Sequence, residues 1–97
     1  MNRVEFEAEL RGDGYEVSEG EIKPNQHRAP HAHDFDVRLL VLSGSIALAF
    51  GKDRSDFGPN ATCYIPAGTV HEEHIGADGV RYVIGRRPAR EGTVNPA

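Results

Sequence analysis

The five histidines of this chain lie in two short stretches of the sequence. His27, His31 and His33 form the first group, and His71 and His74 form the second. His31 and His33 are two residues apart, so both side chains leave the same face if this segment is a β-strand. Buried imidazoles need partners, and neutral imidazole is the commonest nitrogen ligand of divalent transition metals. The spacing alone leaves two interpretations open, a metal site or a histidine pair hydrogen-bonded to water.

Two motifs of the sequence resemble those of the cupin superfamily. The first comprises residues 30–36, PHAHDFD, and residues 39–44, LLVLSG; the second comprises residues 66–71, PAGTVH. Both motifs occur in the family's order, and the resemblance covers about residues 24–85. It implies an all-β, cupin-type double-stranded β-helix, which is a jelly-roll barrel.

The resemblance also implies a metal site. Three histidines occupy ligand positions of the family: His31, His33 and His71. The fourth position, a glutamate in the family, is held here by Val37, which cannot bind a metal. The neighbouring Asp36 points to the opposite face by strand alternation and would ligate only through a β-bulge. The favoured interpretation of Asp36 is a surface or strand-entry carboxylate, for which Arg38 is a candidate partner.

Three neutral nitrogen ligands leave coordination positions open, as in catalytic metal sites. Imidazoles suit iron, nickel, zinc, manganese or copper, and without a carboxylate ligand the site favours an anionic substrate. Glu73 shares strand parity with His71 and is predicted to be a fourth ligand, a general base or a solvated carboxylate. His27 is predicted in a loop because Pro30 interrupts its strand, and His74 is predicted to be exposed.

The resemblance implies a metal-binding small cupin but no particular reaction, because cupins include dioxygenases, isomerases and lyases as well as sensing domains. We expect a mononuclear metal-dependent enzyme acting on a small oxygen-rich substrate, with Glu73 in the catalytic role. The alternative is a non-catalytic barrel that binds or senses a small ligand. A dimeric barrel with a structural metal is a third interpretation.

Composition limits the partners. The chain has 97 residues and a net charge of −4, which argues against nucleic acid or an anionic membrane surface as the main partner. Its single cysteine, Cys63, permits no internal disulfide and is predicted to be an inert small core residue. These features predict a cytoplasmic protein, and the resemblance implies that its partner is a small-molecule ligand or substrate.

The elements predicted around the histidines are mainly strands, separated by Gly and Pro at regular intervals. We predict strands at Tyr15–Lys23, His31–Ser43, Ser45–Phe50, Thr62–Pro66, His71–Ile75 and Val80–Arg86. Residues 1–14 are predicted to form a short helix or strand packing on a barrel of residues 15–86, and residues 87–97 a loose tail. The segment Val37–Leu42 is apolar on both faces, so either the N-terminal segment or a second subunit of a homodimer must cover the outer face.

Overall fold

Six β-strands follow one N-terminal helix in the computed structural model, which describes residues 2–89. The elements are α1 (Arg3–Gly12), β1 (Glu16–Ile22), β2 (His27–His31), β3 (Phe35–Phe50), β4 (Asp53–Phe57), β5 (Thr62–Ile65) and β6 (His71–Pro88). Residues 90–97 of the predicted C-terminal tail lie outside this range. Between residues 2 and 89, no helix is long and apolar enough to cross a bilayer.

The strands form one antiparallel sheet that folds into two halves. One half contains β1, residues 80–88 of β6, residues 35–44 of β3, and β5. The other contains β2, residues 71–75 of β6, residues 46–49 of β3, and β4. Side chains from both halves fill a common interior, including Val41, Leu48 and Val80. This arrangement confirms the predicted all-β barrel architecture.

Two glycines make the corners at which β3 and β6 pass from one half of the sheet to the other. Gly44 on β3 has φ +76° and Gly79 on β6 has φ +73°, a left-handed conformation that favours glycine. A Cβ atom on Gly44 would collide with the Gly79 carbonyl oxygen. Separate strands were predicted on either side of Ser43-Gly44 and on either side of Gly76–Gly79. That prediction was wrong because glycine permits a strand to bend without ending it.

The helix α1 covers the outer face of β3. Asn2 caps its N-terminus, where the side-chain Oδ1 accepts the Glu5 N–H at 2.9 Å. Phe6 and Leu10, one helical turn apart, are fully buried and form an outer core with Leu40 and others. The N-terminal segment therefore accounts for the apolar outer face of β3, and the homodimer stays a prediction.

Two edge strands differ from the sequence prediction. β2 contains Pro30, which is tolerated because β2 pairs only with β6 and lies at an edge of the sheet. Residues 32–34 connect β2 to β3, so the predicted strand His31–Ser43 is interrupted after His31. β4 was predicted as part of a turn, because it is polar and mostly exposed and shows no apolar alternation.

Candidate metal centre

The three motif histidines come from three different segments and meet at the barrel cavity. His31 ends β2, His33 lies in the connection to β3, and His71 begins β6. The ring centroids of His31 and His71 are 4.4 Å apart, and that of His33 lies 5.0 Å from the first and 5.4 Å from the second. One donor atom from each ring lies within 4.8 Å of the other two. The fold thus brings together the three histidines singled out by the motifs.

Backbone carbonyls fix the tautomers of two of these rings. His31 Nδ1 donates to the Ala29 carbonyl at 2.8 Å, and His71 Nδ1 donates to the Thr69 carbonyl at 3.0 Å. A carbonyl can only accept, so each neutral ring carries its proton on Nδ1 and presents an Nε2 lone pair. His71 Nε2 is buried and has no hydrogen-bond partner among the described residues. Such a backbone-held imidazole is typical of metal-ligating histidines.

Glu73 faces these lone pairs. Its Oε2 lies 3.3 Å from Nε2 of both His31 and His71, and the residue is 7% exposed. On its other side, Oε1 lies 3.8 Å from Arg28 Nη1. Strand alternation from His71 offered this inward orientation as one of the interpretations left open, beside a solvated carboxylate. A carboxylate oxygen and an imidazole lone pair are both acceptors, so they repel unless a proton or a cation lies between them.

A cavity of about 110 Å³ extends from the histidines into the barrel. Its walls are mainly apolar, and its charged or polar lining comes from Arg28, His33, His71, Glu73 and Arg86. Burial, and then the neighbouring histidines, lower the pKa of His33, which favours its neutral, metal-binding form.

Cys63, Phe35 and Tyr82 also line the cavity. Cys63 faces inward whereas Tyr64 is 51% exposed, which decides a choice that alternation alone left open. Burial raises the pKa of the Cys63 thiol to about 12, so the thiol stays protonated and is a poor nucleophile. The cavity therefore offers histidine, carboxylate and guanidinium groups, but no reactive thiolate.

Comparison with solved structures identifies this architecture. A cupin-2 domain protein from Shewanella frigidimarina superposes with a TM-score of 0.63 at 20% identity, covering 76% of this chain and 70% of that one. KdgF from Halomonas sp. gives 0.65 at 15% identity, covering 80% and 73%. This chain has the cupin fold. Neither a protein-family model nor a curated protein sequence matches it.

The polyketide cyclase RemF from Streptomyces resistomycificus is a further cupin-like neighbour. It superposes with a TM-score of 0.63 at 26% identity, and the match covers 82% of this chain and 60% of that one. This cupin therefore spans less than two thirds of RemF. Taken with these neighbours, the histidine cluster fits a metal-binding cupin.

The carboxylate nearest the sequence position of the family's glutamate does not lie at the histidine cluster. Asp36 is 6% exposed, and its Oδ1 accepts the Ala67 N–H at 2.9 Å while its Oδ2 pairs with Arg87 at 3.2 Å. Asp36 does lie at the entry of β3, as one of the favoured interpretations had it, but the surface position and the pairing with Arg38 were wrong. Arg38 instead pairs with Glu9 of α1 at 2.6 Å. Sequence reasoning missed this because the partner of Asp36 lies 51 residues away.

A second histidine cluster lies on the outer face of the same two strands. His27 is on β2, not in a loop, and lies opposite His74 of β6. Their rings stack with centroids 4.4 Å apart and planes inclined by 15°. Glu72 Oε2 hydrogen-bonds to His27 Nε2 and lies 3.1 Å from His74 Nε2. Strand alternation along His71-Glu72-Glu73-His74 could have revealed this outer cluster, since it places Glu72 and His74 on the same face of the strand.

Proposed function

We propose that this cupin binds one divalent transition metal through His31, His33 and His71 and acts on a small oxygen-rich substrate. The observation that carries the proposal is the environment of His71 Nε2. This atom is buried, has no hydrogen-bond partner within residues 2–89, and lies 3.3 Å from Glu73 Oε2. A cation between the two acceptors would satisfy both, whereas an apolar neighbour would leave both unpaired.

The donor set fits such an ion. Donor atoms bound to one metal at about 2.1 Å lie roughly 3.0–3.4 Å apart, and the Glu73 oxygen has this spacing from two imidazole nitrogens. Imidazole with a carboxylate suits iron, nickel, zinc, manganese or copper and does not choose among them. Bound there, the metal would act as a Lewis acid toward a substrate oxygen.

The side chains around the cavity favour a small anionic substrate. Arg28 and Arg86 line the cavity and can pair with a carboxylate or another oxyanion. The apolar walls, which include Leu48 and Ile84, exclude water and strengthen these interactions. Glu73 is the one carboxylate among the described residues that line the cavity, and we assign it proton transfer.

A non-catalytic ligand-binding barrel is the second candidate. The observation that favours it is that Val37 occupies the family's carboxylate position and forms part of the apolar cavity wall. With one carboxylate at the centre, a single residue must both complete the ligand set and move a proton. If Glu73 serves only as a ligand, the cavity binds a small oxyanion without turning it over.

Metal analysis of purified protein tests the site. We expect wild type to retain a transition metal near one equivalent or above, His33→Ala to lose the tightly held equivalent, and Asp56→Asn to keep it. Asp56→Asn is the control because Asp56 is an exposed residue of β4 that belongs to neither histidine cluster. Equal metal content in wild type and His33→Ala would refute the assignment.

Glu73→Gln separates the enzyme from the binding barrel. The amide keeps the size of the side chain and an acceptor oxygen, but it cannot carry the proton. For an enzyme, this variant should retain metal and bind small carboxylic acids while losing turnover of the same compounds. A wild type that binds small oxyanions but converts none of a broad panel would favour the binding barrel.

A further inference from the structure

The outer cluster consists of His27, Glu72 and His74, and its three donor atoms lie within 4.8 Å of one another. Its side chains are accessible, with 51%, 29% and 36% of their surfaces exposed. The stacked rings place both Nε2 atoms beside one oxygen, Glu72 Oε2. Imidazole and carboxylate groups arranged in this way are donors suited to zinc, nickel and copper.

We propose that His27, Glu72 and His74 form a second divalent-metal site on the outer face of the barrel, of the zinc, nickel or copper class. Two nitrogens and one oxygen converge there from adjacent strands, so a single ion can replace the hydrogen bonds that Glu72 now accepts. The remaining coordination positions face solvent and would hold water. The site shares no residue with the inner cluster.

The strands explain why such an ion would matter. β2 is an edge strand whose register with β6 has three paired positions and an irregularity between Arg28 and His31. A metal held by His27 of β2 and by Glu72 and His74 of β6 would link the two strands directly. Because His31 ends β2, the outer ion would also restrain the strand that carries an inner histidine.

Zinc titration of metal-free protein tests the proposal. The His33→Ala variant weakens the inner site, and in that background we expect calorimetry to show one zinc equivalent at the outer site. Adding Glu72→Gln should abolish that equivalent, because the amide cannot supply the carboxylate charge. Asp56→Asn in the same background is the matched control, since Asp56 is an exposed acid (side chain 81% exposed) on the edge strand β4, which β3 separates from β6.

Hydrogen exchange gives a second readout. Zinc should slow exchange of the β2 amides in His33→Ala and in the Asp56→Asn control, but not in the Glu72→Gln double variant. Zinc binding that Glu72→Gln leaves unchanged would overturn the proposal. So would the absence of zinc binding to the His33→Ala protein at millimolar zinc, which would leave the cluster as a carboxylate hydrogen-bonded to two histidines.

Discussion

Replacing Asp36, the last residue of the PHAHDFD motif, with alanine should strongly destabilise the protein. Asp36 and Arg87 form an ion pair whose side chains are 9% and 14% exposed. Asp36→Ala leaves the Arg87 guanidinium with reduced compensation and removes the acceptor of the Ala67 N–H. Breaking a buried pair from one side typically costs about 3–5 kcal/mol.

The lower end of that range applies here. Arg87 keeps two contacts in the variant, a 2.8 Å hydrogen bond to the Asp13 carbonyl and the Tyr15 ring at 4.3 Å. We therefore expect a loss of about 3 kcal/mol in the free energy of unfolding, which lowers Tm by at least roughly 12 °C in a domain of this size. Urea unfolding followed by circular dichroism measures the loss.

Two further variants separate this explanation from a general effect of losing a carboxylate. Asp56→Ala breaks an exposed pair with Arg54 and should cost less than about 1 kcal/mol. The double variant Asp36→Ala/Arg87→Met should recover part of the loss, because it no longer buries an unpaired charge. A loss below about 1 kcal/mol for Asp36→Ala would refute the reasoning.

Gly44→Ala should be strongly destabilising because the added Cβ collides with the Gly79 carbonyl oxygen. Gly51→Ala, which is also at positive φ but has open space around it, should lower the free energy of unfolding by only about 1 kcal/mol. The urea midpoints of the two variants measure this difference. Cys63 should react with a disulfide reagent at pH 8 much more slowly in the folded protein than in urea, since its folded pKa of about 12 leaves almost no thiolate; equal rates would contradict its burial. The pKa of His33 is lowered in the fold, so the unfolded chain binds its proton first as the pH falls. Metal-free protein should therefore lose stability below about pH 6.5, and His33→Gln should flatten that part of the urea-midpoint profile against pH.

Local sequence signals predicted the barrel but not its continuity. Alternating apolar residues and regular glycine and proline positions identified most strands. Ser43-Gly44 was misinterpreted as a break because glycine occurs both where a strand ends and where a continuous strand bends. Only the contact of Gly44 with Gly79, 35 positions later, distinguishes the two, and no local pattern contains that contact.

In the candidate site, too, local sequence patterns predicted some features, and contacts with distant residues decided the others. Motif spacing singled out the three histidines, and strand alternation oriented Glu73 toward them. The loop prediction for His27 failed because Pro30, on which it rested, does not end an edge strand. The burial of Asp36 was also missed, since it depends on Arg87 from the far end of β6. Residues whose role depends on local periodicity were predictable, and those whose role depends on a distant partner were not.

β3 and β6 each pass through both halves of the sheet, and this continuity affects how the barrel unfolds. Two halves joined only by short loops could separate and unfold independently of each other. Here the two central strands belong to both halves, so neither half can unfold without disrupting strands that the other half shares. The barrel should therefore unfold as one cooperative unit, while the edge strand β2, with its few paired positions, should open at lower cost. That strand contributes Arg28 to the cavity lining and carries His27 on its outer face and His31 at its end.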